Sequence, residues 1–465
     1  MKFVSTRGKA PALGFCDVLL QGLARDGGLY VPETWPSLSA DAIAAMAGRP
    51  YAEIARTVLK PFIDGQIADD AFAAMVDEAY ATFRHQAVTP LVQVAPNRFV
   101  LELFHGPTMA FKDVAMQLLA RLMDHVLAER GERATIVGAT SGDTGGAAIE
   151  AFRGRKATTL YILFPEGRVS EVQRRQMTTV DDPAVHPLAV RGNFDDCQAL
   201  LKALFNDHTF RDAVQLAGVN SINWARIMAQ VVYYFAAAAA LGAPHRRVSF
   251  TVPTGNFGDI FAGYVAKKMG LPIDRLVIAT NANDILARFM ATGRYEATGV
   301  EATISPSMDI EVSSNFERLL FEACGRDGAA VTAWMESLKQ SGGFEVGPEV
   351  HGRIAAEFSA GRCGEDETRQ EIRRTLEEDG YLIDPHTAVA LKVAREHDDG
   401  TSPMVVLGTA HPAKFPDAVE AACSLRPDLP HWQGDLMARP EAFDVIDHDD
   451  GLLKVLIGKR NPGGA

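Results

Sequence analysis

Cysteine is scarce and scattered. The 465 residues hold five, Cys16, Cys197, Cys324, Cys363 and Cys423, and no two stand in a C-x-x-C pair. An odd, unclustered set argues against a disulfide framework, and no His/Cys/Asp spacing forms a metal-ligand set. Basic clusters are also missing. Lys and Arg number 46 against 59 Asp and Glu, for a net charge of −13, and nothing exceeds short pairs such as Arg174-Arg175. Nucleic acid and anionic membrane surfaces are therefore poor partners. Long apolar runs are absent too. The most apolar segment, 231–241, is far shorter than the roughly 20 residues that a bilayer span requires. The opening MKFVSTRGKA lacks the apolar core of a signal peptide. No repeat or low-complexity tract occurs. These absences predict a cytoplasmic globular protein that handles small molecules, with no nucleic acid, no membrane and no obligatory protein partner.

What is present is a chain too long for one core, 47% apolar and 23% charged. Residues 1–95 read as a helical N-terminal domain. Apolar residues recur at helical spacing over 42–47, 52–59 and 67–83, with turn signals at Pro32, Pro36, Pro50 and Pro61. Segments 3–7 and 28–32 are expected to lie against the main body. From about residue 97 strands alternate with helices. Strands are predicted over 99–104, 135–139, 159–164, 185–190, 248–252, 276–280 and 404–407. Helices are predicted over 114–127, 145–152, 171–178, 194–205, 224–241, 260–269 and 284–290. This alternation is the pattern of an α/β protein with mostly parallel sheet. It divides into a smaller α/β subdomain, 96–210, and a larger one with a C-terminal extension, 211–465. Residues 325–380, richer in charge and glycine, read as surface helices and loops.

Three stretches carry chemistry. In LELFHGPTMAFKD, a strand and a Gly-Pro break lead to Lys112 at the start of an apolar helix. A lysine there is either a solvated helix-start charge or a Schiff-base amine whose pKa is lowered in an apolar pocket. The loop GATSGDTGG, Gly138 to Gly146, can aim several N–H groups and hydroxyls at one anion, or be a capped turn. It is no nucleotide-hydrolase phosphate loop, because no Gly-Lys-Ser/Thr follows. The loop PTGNFGD, Pro253 to Asp259, again joins a strand to a helix start, but lacks the full dinucleotide fingerprint. Two anion loops and one candidate amine favour the reactive reading of Lys112.

The ordered set HGPTMAFKD, GATSGDTGG, NSINWARIMAQ, VPTGNFGD, SPSMDI and GTAHPAKF resembles the threonine synthase family, in its bacterial and yeast branch with an added N-terminal domain, over essentially the whole chain. The resemblance implies a fold type II pyridoxal-phosphate enzyme, related to the tryptophan synthase β fold, with two α/β subdomains and pyridoxal 5'-phosphate between them. It implies Lys112 as the Schiff-base lysine, and Gly255, Asn256, Phe257, Gly258 and Asp259 as the cofactor-phosphate loop. Thr140, Ser141, Gly142 and Thr144 would take the substrate carboxylate. Asp143 stands where many relatives carry an Asn beside the cofactor ring. Thr409 would bring a hydroxyl to the pyridine nitrogen. Ser221 and Arg226 would hold the phosphate of the substrate, O-phospho-L-homoserine. A carboxylate repels a phosphate, so Asp259 is expected to brace its loop while Asn256 and the glycine N–H groups make the contacts. A phospholyase or serine/threonine dehydratase on the same fold is the alternative within this chemistry. An inactive relative acting as a binding protein is the alternative outside it. His105 and His411 are candidate proton carriers or structural histidines. Asp113, Asp384 and His386 read as helix-start residues, and Lys414 reaches an anion or is solvated.

Overall fold

A computed structural model describes residues 1–460. Residues 461–465, the end of the expected last segment, lie outside the described residues. Near the N-terminus, helices Ala40–Ala44, Tyr51–Ile63 and Asp69–Tyr80 form where helical spacing predicts them. The second buries Ile54, Ala55, Val58, Leu59 and Phe62 on one face. Pro61, read from the sequence as a turn, lies inside its last turn, where it removes the bond to the carbonyl of Thr57, an exposed residue. The chain leaves this helix at left-handed Asp64 (φ 49°). Phe3–Ser5 pairs antiparallel with Tyr30–Pro32. Thr6 Oγ1 and Arg7 Nη2 then donate to Glu317 at 2.6 and 3.1 Å, tying this segment to the main body.

The main body has two large sheets and, among the described residues, a two-stranded pair, Arg294–Glu296 with Gly343–Glu345. The larger runs Phe358–Arg362, Ile273–Thr280, Val248–Pro253, Met404–Gly408, Arg98–Glu102 and Leu91–Ala95 in spatial order. It is parallel except for its last pair. The smaller runs Asp444–Ile446, Val185–Val190, Thr158–Pro165, Ala134–Ala139 and Leu216–Ala217, all parallel. Thr158–Pro165 and Val248–Pro253 are buried throughout, as parallel strands covered on both faces must be. All seven predicted strands are present, although the first ends at Glu102 rather than Phe104. Phe358–Arg362 is an edge strand inside the region read as surface helices and loops. Sheet membership cuts across the expected boundaries: Arg98–Glu102 pairs with Met404–Gly408, and Leu216–Ala217 pairs with Ala134–Ala139.

Two helices hold the centre. Lys112–Arg130 and Trp224–Ala240 pack on each other and bury nearly every residue of their inner turns. Among the described residues no helix is long and apolar enough to cross a membrane. The loops after Glu102, Ala139, Pro253 and Gly408 all leave the carboxyl ends of parallel strands, and three lead straight into helix starts. Ligands of such sheets bind there.

Candidate active site

The loop before Lys112 is shaped by its own side chains. Asp113 accepts from the Thr108 N–H at 2.8 Å and the Thr108 hydroxyl at 2.7 Å. Gly106 must be glycine, since a Cβ there would lie 2.5 Å from Asp113 Cβ. The Phe111 N–H donates to Thr409 O at 2.8 Å, and Ala110 bridges Ala410. Lys112 is thereby delivered to the first position of its helix, only 8% exposed. Its Nζ donates to Ser307 Oγ at 3.3 Å and lies 3.5 Å from Asp143 Oδ2. Burial lowers its pKa against the pull of Asp143, and the charges of Lys414 and Arg226 lower it further. The shift is in the direction of the neutral, nucleophilic amine.

Asp143 opens the next helix. Thr140 Oγ1 accepts from Gly142 N and Gly145 N, both at 2.9 Å, so this hydroxyl works inside the loop. Gly142 has φ 140°, and a Cβ there would meet Gln173 at 2.4 Å. Ser141 and Thr144 are half-buried. Asp143 Oδ1 accepts from Gln173 Nε2 and Lys414 Nζ, both at 2.9 Å, and Oδ2 accepts from Ser307 Oγ at 3.1 Å. Burial alone would raise its pKa, but Lys414 and Lys112 hold it well below the usual carboxylate range. Position 143 is thus an ion-paired carboxylate.

The Pro253–Asp259 loop is pulled from one side. Ser313 Oγ donates to Gly255 O at 2.6 Å. Asn315 donates to Asn256 O from its backbone N at 3.0 Å and from Nδ2 at 2.9 Å. A trans peptide points its N–H opposite to its C=O. The Asn256 and Phe257 N–H groups therefore face away from Ser313 and Asn315, beside the N-terminus of the Gly258–Lys268 helix. Phe257 holds the left-handed conformation (φ 62°) that turns the loop into the helix, and its ring anchors against Phe316 and Phe358. Successive N–H groups at a helix start form an anion cradle.

Asp259 points elsewhere. The Tyr233 and Tyr234 hydroxyls both donate to its Oδ1, while Oδ2 is buried without a partner. Burial pushes its pKa up to about 7, against the two hydroxyl bonds. A folded-state value above the unfolded one means stability present in acid and lost as pH rises through about 7. Asp259→Asn is expected to flatten this slope: wild type should lose melting temperature from pH 5 to pH 8 more steeply than the variant. Parallel curves would assign the slope to other groups.

Arg226 is 4% exposed. Among the described residues it has no carboxylate in ion-pair range. Among the described residues its guanidinium makes one hydrogen bond, a long one of 3.5 Å from Nη1 to Val219 O, and Nε has no partner. Burial lowers its pKa to about 10. A buried guanidinium without a counter-ion is costly, and an anionic ligand would supply what is missing. Ser221 O, nearby in sequence, accepts from Asn315 Nδ2 at 3.2 Å. Thr409 is buried beside the Lys112 loop, with its carbonyl on Phe111 N.

Sequence reasoning passed over Ser307, Gln173, Asn315 and the buried role of Lys414. Lys414 is fully buried and donates to Thr108 O and Gln176 Oε1 besides its bond to Asp143. His386 Nε2 accepts from Ser307 N at 3.2 Å, so its Nδ1–H donates to Asp384 at 2.7 Å. Asp384 also caps the Pro385–His397 helix, as its sequence signal predicts. His105 bonds Glu102 at 2.6 Å. His411 caps a short turn, with its pKa lowered to about 4 by burial. Asp113 is a buried loop brace with its pKa raised by burial to about 6.

A buried amine biased to neutrality, an N–H cradle for one anion and an uncompensated guanidinium for another suit an aldehyde cofactor that carries a phosphate. Fold and site define the chain as a fold type II pyridoxal-phosphate-dependent enzyme, and residues 82–409 match the family described as "Pyridoxal-phosphate dependent enzyme". Residues 2–80 match "Threonine synthase N terminus", and residues 387–457 match "Threonine synthase, C-terminal". The threonine synthase of Pseudomonas aeruginosa is 52% identical over 100% of this chain and 99% of its own. A PLP-bound threonine synthase structure from Brucella melitensis is 64% identical, with a TM-score of 0.98 over 99% of both chains. The yeast threonine synthase structure is 40% identical, with a TM-score of 0.94 over 99% of this chain and 98% of that one. The chain belongs to the threonine synthase family.

Proposed function

We propose that this chain converts O-phospho-L-homoserine and water to L-threonine and phosphate, as a pyridoxal-phosphate-dependent lyase of threonine biosynthesis. The observation that carries this reading is Arg226, a buried guanidinium with no counter-ion whose charge is felt at Lys112. It suits a substrate with its own phosphate, distinct from the anion of the Asn256–Gly258 cradle. Lys112 holds the cofactor covalently, and the N–H groups of Asn256, Phe257 and Gly258 hold the cofactor phosphate. Ser141 and Thr144 take the substrate carboxylate, in a loop kept in shape by Thr140 and Gly142. Thr409 and Asp143 would help to hold the cofactor ring. The bound cofactor supplies an electron-withdrawing ring that takes up charge from the substrate Cα. The Lys112 amine moves the proton at Cα, for which its lowered pKa suits it. Asp143 and Ser307, both bonded at that amine, keep it oriented. Arg226, with Ser221, neutralises the departing phosphate, where fixed positive charge has its largest effect. We place the enzyme in the cytoplasm, a reading that its five unpaired cysteines suit, and divide it into a helical N-terminal unit and two α/β subdomains.

Incubation with O-phospho-L-homoserine, with phosphate and threonine assayed together, tests the proposal. Equal amounts of both are expected. Phosphate with 2-oxobutyrate would instead make the chain a phospholyase, and neither product would support a non-catalytic binding role.

A further inference from the structure

The two anion sites are joined by one side chain. Asn315 is fully buried. Its Nδ2 donates both to Asn256 O (2.9 Å), in the cofactor-phosphate loop, and to Ser221 O (3.2 Å), in the loop that leads to Arg226. Its Oδ1 accepts from Arg318 Nη1. That guanidinium is itself fully buried. It donates to Ile222 O at 2.7 Å and to Tyr30 O at 3.0 Å, which fixes it to the second loop and to the N-terminal segment. Arg318 thus orients the carboxamide so that its NH2 group faces the two loops. Gly258 leaves room for the crossing, since a Cβ there would lie 3.3 Å from Asn315 Nδ2. Ser313 by contrast reaches only the cofactor loop, at Gly255 O.

We propose that Asn315, held by Arg318, is a positioning residue that sets the spacing between the two anion sites and so selects the length of the phospho-amino acid. The inference rests on the functional reading above. A substrate tied to the cofactor at its amine and to Arg226 at its phosphate must span a fixed gap. One methylene fewer leaves the phosphate short, and preorganised loops do not follow it. Freed from the shared carboxamide, the loops lose the preference for the longer chain.

The test uses the holoenzyme in wild-type, Asn315→Ala and Ser313→Ala forms. It reads the KM and kcat for O-phospho-L-homoserine, the Ki of the shorter O-phospho-L-serine against it, and cofactor retention on dialysis by absorbance. Asn315→Ala is expected to raise KM more than it lowers kcat, and to shrink the Ki/KM ratio by about tenfold, on the scale of one methylene of discrimination. Ser313→Ala should weaken cofactor retention and keep the wild-type ratio. Should Asn315→Ala fail to fold, Gly258→Ala, which crowds the carboxamide, must shrink the ratio. An unchanged ratio in the Asn315 or Gly258 variant, with wild type active, overturns the length gauge alone. A wild type that releases no phosphate from phosphohomoserine overturns the functional reading and the gauge with it.

Discussion

Lys112→Ala is expected to cut phosphate release from O-phospho-L-homoserine by at least about four powers of ten, the upper range for a positioned acid–base group, because the same amine is also proposed to make the covalent link to the cofactor. An ammonium at this depth is destabilised by desolvation, and the neighbouring charges of Lys414 and Arg226 add to the penalty. Asp143 prevents the shift from going further, and Ser307 supplies a hydroxyl acceptor. The result is an amine that can attack an aldehyde and later carry a proton. The variant should still bind cofactor through the Asn256–Gly258 cradle, because Ser313 and Asn315 orient that loop without help from Lys112. Absorbance after cofactor addition, with its maximum at the free-aldehyde position, would show this. Turnover within tenfold of wild type would remove Lys112 from the chemistry.

Arg226→Leu is the second large effect. Losing a charge-assisted donor at the departing phosphate should cost roughly 2 to 4 kcal/mol, or about two to three powers of ten in phosphohomoserine turnover at ~1.36 kcal/mol per tenfold. Arginine fits this place because its planar fork can give two parallel bonds to phosphate oxygens. The folded enzyme should not suffer, since the substitution removes a buried charge that has no carboxylate partner among the described residues. An unchanged or higher melting temperature is therefore part of the expectation. Cofactor content should hold, and side reactions of serine or threonine, which carry no phosphate, should change little. Loss of cofactor, or an equal loss on both substrate types, would show that Arg226 does not serve a distal phosphate.

The parts legible in the sequence are those set by local physics. The apolar run 160–164 reads as a buried strand, 248–252 alternates apolar residues with Ser249 and Thr251 as a strand does, and the helix from Trp224 is apolar over most of its surface, with Arg226 and Gln230 as the exceptions. Lys112 and the two glycine loops stand out because they interrupt such patterns at strand ends. Local signals also misled in places. Pro61 reads as a break, yet the helix runs on to Ile63, and the bond that Pro61 removes is to the carbonyl of exposed Thr57. Phe358–Arg362, FSAGR, has one buried apolar residue and no alternation, so an edge strand there shows only through its pairing with Leu276–Thr280. The connections between distant segments were not legible at all. Lys414 looks like any lysine until the fold buries it against Asp143. Ser307 reaches Asp143 across 164 residues, and Asn315 reaches Ser221 across 94. No spacing rule encodes such contacts. Ser313, Asn315 and Arg318 sit in a stretch with no glycine loop to mark it, and their role lies in carbonyls that they pull back from the site.

The central claim is that one buried amine, Lys112, carries the chemistry between two anion sites. The most direct measurement is borohydride reduction of the cofactor-loaded enzyme, followed by peptide mapping. The account predicts a pyridoxyl group on the peptide that contains Lys112, with Lys414 unmodified because its amine is enclosed and bonded to Asp143. A pyridoxyl group on Lys202, Lys267 or Lys414, with Lys112 unmodified, would contradict it.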